Sequence, residues 1–135
     1  MSESLVLDSS ALLAYLQEED GADEVEQALL GASTAGTRHL ITSVNWAEIL
    51  CAAARQVRYE DVADVAAAVD QLPVQMVEVG RDLSVIAAGF KCERGLGLAD
   101  AYAAALAMLL DVPLMTTDAD FDALGAQGLK VRRIR

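Results

Sequence analysis

Short apolar runs alternate with longer helical stretches along the chain, and this alternation limits the fold more than any other feature. Leu5-Val6-Leu7, Leu40-Ile41-Thr42, Val74 to Val79, Pro113 to Thr117 and Lys130 to Ile134 each read as a strand. Between them, helical patterns cover Ala11 to Glu18, Asp20 to Leu30, Val44 to Val57, Glu60 to Leu72, Asp82 to Glu93 and Leu98 to Leu110. Ser9 or Ser10 is expected to cap the first helix and Ser43 the third. Gly31 to Thr37 reads as a loop of small residues, Pro73 ends the fourth helix, and Gly95-Leu96-Gly97 breaks the fifth. Strands that alternate with helices imply a parallel sheet wrapped by helices. The expected fold is therefore α/β, a central short-stranded parallel sheet in an α/β/α sandwich. Sites in such sheets form at the carboxyl ends of strands and at nearby helix N-termini.

A chain of 135 residues fits one compact domain, expected over 1–135, and it shows no repeat or linker. Aromatic residues make up only 4%, so the core must be built from Ala, Leu and Val. The longest apolar candidate for a membrane span, Leu96 to Leu110, is shorter than the roughly 18 residues required and carries Asp100. No basic stretch precedes an apolar one at the N-terminus, so a signal peptide is not expected and the expected location is cytoplasmic. Cys51 and Cys92 form no CxxC pair and are expected to be reduced core residues. His39 is the single histidine, and a loop or strand-edge place is expected for it. No glycine loop with a lysine is present to cradle a nucleotide.

The formal charge of −11 argues against a nonspecific grip on nucleic acid, which requires Lys and Arg. It does not exclude a nuclease, because carboxylates at a metal site contribute to it. Glu18, Glu19, Asp20, Asp23, Glu24 and Glu26 form an acidic stretch, and Lys130, Arg132, Arg133 and Arg135 a basic C-terminus. Both are expected to be solvated surface.

Four acids stand inside apolar stretches. Asp8 is the only charged residue from Ser4 to Gln17, Glu48 from Leu40 to Ala54, and Asp100 from Gly95 to Leu110. Asp118 ends the uncharged run Val112 to Thr117. Taken singly, Asp8 and Asp118 fit capping or turn roles, and Asp100 fits a first-turn acid favoured by the helix dipole. Glu48 is harder to explain that way, because its helix is apolar almost all round. Taken together, Asp8 and Asp118 lie past strands at one edge of the sheet, with Asp100 near a helix start. Gathered carboxylates raise one another's pKa unless a cation sits among them. Mg²⁺ or Mn²⁺ prefers such oxygen ligands, and a carboxylate-bound metal suits phosphodiester hydrolysis.

Four segments carry a resemblance to a known family. Val6-Leu7-Asp8-Ser9-Ser10-Ala11-Leu12 resembles the opening motif of PIN domains, and Ser43-Val44-Asn45-Trp46-Ala47-Glu48-Ile49 their second. Gly95 to Ala101 is similar to the third motif and Thr116 to Phe121 to the fourth. Each is weak alone; four in order, spanning nearly the whole chain, are strong. The resemblance implies a PIN-like fold with Asp8, Glu48, Asp100 and Asp118 as catalytic residues lining a Mg²⁺ or Mn²⁺ site. It implies Asp8 and Asp100 as direct ligands, and Asp118 as a ligand held directly or through water. Glu48 would do the same or position the attacking water, a hydroxyl from Ser9 or Thr116 would support the site, and Asp120 is a further candidate member that otherwise reads as a surface turn acid. Ala99 stands where toxins of this family commonly have glycine.

The chain length resembles the VapC-type toxins, endoribonucleases acting on transfer or ribosomal RNA. That likeness implies an RNA substrate, a cognate antitoxin, and a homodimer. Arg38, Lys91, Arg94 and the basic C-terminus are candidate RNA contacts. The alternatives are a catalytically silent PIN module that binds RNA or protein, a PIN nuclease of ribosomal RNA processing or DNA flaps, and a phosphoacceptor receiver-like domain. The receiver reading wants paired acids after the first strand and a lysine soon after Asp118. Serines follow Asp8, and the next lysine is Lys130.

Overall fold

A computed structural model describes residues 3–56 and 61–135. Five strands, β1 (Val6–Leu7), β2 (His39–Thr42), β3 (Val74–Val77), β4 (Leu114–Thr116) and β5 (Val131–Arg133), form one sheet in the order β3-β2-β1-β4-β5. All four pairings are parallel. The expected parallel α/β sheet is therefore observed. A receiver-like sheet has the order 2-1-3-4-5, which this topology contradicts. Among the described residues, helices α1 (Ser9–Leu16), α2 (Ala22–Ala35), α3 (Ser43–Gln56), α4 (Val62–Asp70), α5 (Arg81–Arg94) and α6 (Leu98–Leu110) cover the sheet, and a 3-10 helix spans Ala119–Gln127.

The central strands β1, β2 and β4 are covered on both faces, so alternate residues feed two cores. Leu5, Leu7, Ile41 and Met115 pack with α1, α2, α3 and α4. Val6, Leu40, Leu114 and the alanines of α6 pack with α5 and the 3-10 helix on the other side. In α6, Ala101, Ala103, Ala104, Ala105 and Ala107 are all buried. Such small side chains let this helix lie close against the sheet. None of the described helices is long and apolar enough to cross a membrane.

Several boundaries differ from the sequence reading. Asp8, rather than Ser9 or Ser10, caps α1, accepting from Ala11 N at 2.9 Å. The stretch Gly31 to Ala35, expected in a loop, continues α2. Burial of Ala32 holds that turn, and Gly36 ends it at φ 71°, a left-handed conformation that glycine adopts without strain. The Thr42 hydroxyl, rather than Ser43, accepts from the first turn of α3, at Asn45 N. The expected end of this helix at Val57 and the start of the next at Glu60 lie outside the described residues; Asp61 caps α4.

Both cysteines are free and exposed, not core residues as expected. Cys51 shares the outer face of α3 with Ala47, Glu48 and Arg55, all exposed. That face is apolar in composition because its residues are small, not because it is buried.

His39 opens β2, at the edge of the strand as expected, but it is an interior residue, 1% exposed. Its Nδ1 accepts from Leu5 N at 3.1 Å, so Nε2 carries the proton and donates to Ala28 O at 2.7 Å. The ring thus joins β1, β2 and α2. His39→Phe keeps the bulk but leaves the Leu5 N–H buried without an acceptor. It is expected to destabilise the protein by about 1–3 kcal/mol, read as a lower urea midpoint at unchanged m-value. An unchanged midpoint would show that the ring contributes volume alone.

Candidate active site

The strand order reverses between β1 and β4. Chain connections leave these two neighbours in opposite directions, which opens a crevice beyond their carboxyl ends. Asp8 directly follows β1, and Thr116 ends β4 with Asp118 two residues on.

Asp8 is 1% exposed. Its Oδ1 accepts from Ser10 Oγ at 2.7 Å and Ala11 N at 2.9 Å, and its Oδ2 accepts from Thr116 Oγ1 at 2.6 Å. Each hydroxyl has one proton and spends it on Asp8, so the 3.2 Å approach of Ser10 Oγ to Thr116 Oγ1 is a contact rather than a further bond. The same hydroxyls accept from Thr117 N and Asp118 N. This ladder locks Asp8 and the turn leading to Asp118 into one geometry. Ser10 was missed in the sequence; Ser9, favoured there beside Thr116, bonds elsewhere. Burial pushes the Asp8 carboxyl up, its three donors oppose that shift, and Asp118 adds to it.

Asp100 lies in the first turn of α6. Burial, then the charges of Asp8, Asp118, Glu48 and Asp120, raise its pKa from 3.8 to about 6. The structure thus brings the four acids singled out in the sequence within electrostatic reach, with Asp120 as a fifth. Glu48 is exposed, not enclosed by its helix, and works on Asp100 through its charge. Asp118 Oδ1 accepts from Asp120 N at 2.8 Å, and Asp120 is exposed in the first turn of the 3-10 helix.

Among the described residues, no three His, Cys, Asp or Glu side chains are arranged to close around a metal ion. The donor chemistry nevertheless suits a hard cation. Mg²⁺ keeps several waters and takes only one or two carboxylates directly. A carboxylate offers about four acceptor positions. Asp8 uses two on Oδ1 and one on Oδ2, which leaves one on Oδ2.

The basic C-terminus is engaged in ion pairs: Lys130 with Asp111, Arg132 with Glu3, Arg133 with Asp122 and Arg135 with Glu19. Arg94 lies nearer the acids, lining a recess with Leu96, Asp120 and Leu124.

A parallel sheet with acids at its switch point defines a class of α/β protein, and comparison with known proteins names its family. Residues 5–127 match the PIN domain model, and the chain belongs to the PIN domain family. Its fold is similar to VapBC2 from Rickettsia felis, solved on a DNA fragment from its promoter, with TM-score 0.75, 14% identity, and 98% and 100% of the two chains covered. It is similar also to a toxin–antitoxin complex from Klebsiella pneumoniae, with TM-score 0.72, 22% identity and 98% of each chain covered. A third similar fold is VapC20 of Mycobacterium tuberculosis, a sarcin–ricin loop cleaving toxin, with TM-score 0.71, 20% identity, and 90% and 95% covered. No curated protein matches the sequence.

Proposed function

We propose that this chain is a single PIN domain acting as a metal-dependent endoribonuclease, the toxin of a VapBC-like pair, in the cytoplasm. The observation that carries this reading is the placement of Asp8, Asp118 and Asp100 together at the carboxyl ends of β1 and β4 and the start of α6, where burial and the neighbouring acids push the Asp100 carboxyl up. Perturbed groups at a crevice are what catalytic sites present, and a cation relieves this repulsion. Asp8 and Asp100 would hold Mg²⁺ or Mn²⁺, with Asp118 directly or through water. A bound divalent ion supplies activation of the attacking water and charge neutralisation at the scissile phosphate. Glu48, exposed at the edge of the acidic group, is free to orient that water or accept its proton. Arg94 offers a cation to the RNA backbone beside the acids.

Assembly with an antitoxin, formation of a homodimer, and transfer or ribosomal RNA as substrate belong to the same proposal. The antitoxin partner is supported by fold likeness to toxin–antitoxin complexes, and an RNA target by likeness to a sarcin–ricin loop cleaving toxin. The second reading, a silent PIN module, is less well supported, because all four acids are present and coupled.

Purified protein is expected to cut a total RNA pool with Mg²⁺ or Mn²⁺ and to stop when chelator is added. The fragment ends would identify the target. Metal-independent cutting would remove the metal from the mechanism. RNA binding without cutting, across purified transfer and ribosomal RNA, would favour the silent module.

A further inference from the structure

Beneath the acids lies a buried polar cluster centred on Asn45, which is 0% exposed. Its Oδ1 accepts from Thr42 Oγ1 at 2.5 Å. Its Nδ2 donates to Ser9 Oγ at 3.0 Å and to Ala99 O at 3.2 Å. The amide orientation is set by its partners, since a carbonyl can only accept. Ser9 is the residue after Asp8, and Ala99 the residue before Asp100. One amide therefore joins the two helix N-termini that carry the two central carboxylates. A carbonyl in the first turn of α6 already accepts within its own helix. The bond from Asn45 is thus not needed to satisfy Ala99 O; its consequence is to tie α6 to α1.

We infer that Asn45 is a positioning residue that sets the separation of Asp8 from Asp100, and through it the affinity of the site for a divalent cation. The inference rests on the metal-site reading above. Asn45 touches neither carboxylate and acts through the Ser9 hydroxyl and the Ala99 carbonyl. Groups that orient ligands in this way typically carry about 10–100-fold in metal affinity or activity.

The test measures Mn²⁺ binding by the loss of the free-ion EPR signal, with amide hydrogen exchange in the first turn of α6. Asn45→Leu keeps the volume and removes the donor. Asn45→Ser removes it with less demand on packing, because a serine hydroxyl can bond back to its own helix. Val25→Ala, a core truncation in α2, which supplies no hydrogen bond to the cluster, controls for lost stability. Both Asn45 variants are expected to bind Mn²⁺ at least about 10-fold more weakly and to exchange faster at Asp100 and Ala101, while Val25→Ala lowers the melting temperature alone. Wild-type Mn²⁺ affinity in a folded Asn45 variant overturns the inference. An equal loss in Val25→Ala also overturns it, since lost stability would then explain the effect. If the wild type binds no Mn²⁺, the metal-site reading fails, and with it the role in cation affinity. Faster exchange in the Asn45 variants would then still support the tie between α1 and α6, and unchanged exchange would overturn that as well.

Discussion

Asp8→Asn and Asp100→Asn are each expected to lower metal-dependent RNA cleavage by at least about 100-fold, because loss of a direct ligand should cost more than loss of its supporting partner. The two variants act differently. At Asp8 the amide keeps an oxygen for Ser10 and Ala11 N but turns a donor toward Thr116, so the ladder that aims the residue is disturbed along with its charge. At Asp100 no side-chain ladder is present among the described hydrogen bonds, and the change is chiefly one of charge. Single-turnover rates at saturating Mn²⁺, with melting curves beside them, separate the cases. Wild-type rates in either folded variant would remove that residue from the active centre.

Asp100→Asn should also make the metal-free protein more stable at neutral pH. The folded-state pKa of about 6 lies above the ordinary 3.8. The folded state therefore binds the extra proton, and this group's contribution is most favourable below about pH 4. It declines as pH rises through the window to about 6, and the deficit persists above it. Discounted for the part of Asp100 that remains in solvent, the gain in the variant at pH 7.5 is on the order of 1 kcal/mol. That corresponds to a melting temperature about 3–5 °C higher in a chain of this size. At pH 4 the difference should vanish. Mn²⁺ at 100 times its dissociation constant should stabilise the wild type by about 2.7 kcal/mol at pH 7.5. The effect should fade toward pH 5, where protons compete for the ligands, and should be largely absent in Asp100→Asn. If the variant instead melts below the wild type at pH 7.5 without metal, Asp100 is not held against repulsion, and that support for the proposed function fails.

The order of elements was legible in the sequence because both periodicities are local. Helix α6 has the expected bounds, Leu98–Leu110, since its alanine-rich run is flanked by glycine on one side and proline beyond the other. The four acids were legible too, because a charge inside an apolar run stands out in one dimension. Glu48 illustrates the limit of that signal. Its neighbours Ala47 and Cys51 count as apolar, yet they face solvent with it, and composition does not reveal which side of a helix is covered.

By itself the sequence determined the alternation of strands and helices, the parallel sense of the sheet that follows from it, and the identity of the acids at strand ends. Only the tertiary structure decided which strands are neighbours, and hence that Asp8 meets Thr116 across 108 positions of chain. It likewise decided that His39 is an interior bond-maker and that Asn45 joins α1 to α6. Burial and hydrogen bonding between distant segments depend on how whole elements pack. Local periodicity carries no information about that packing, because a polar residue inside an apolar stretch looks the same whether it finds a partner or faces water.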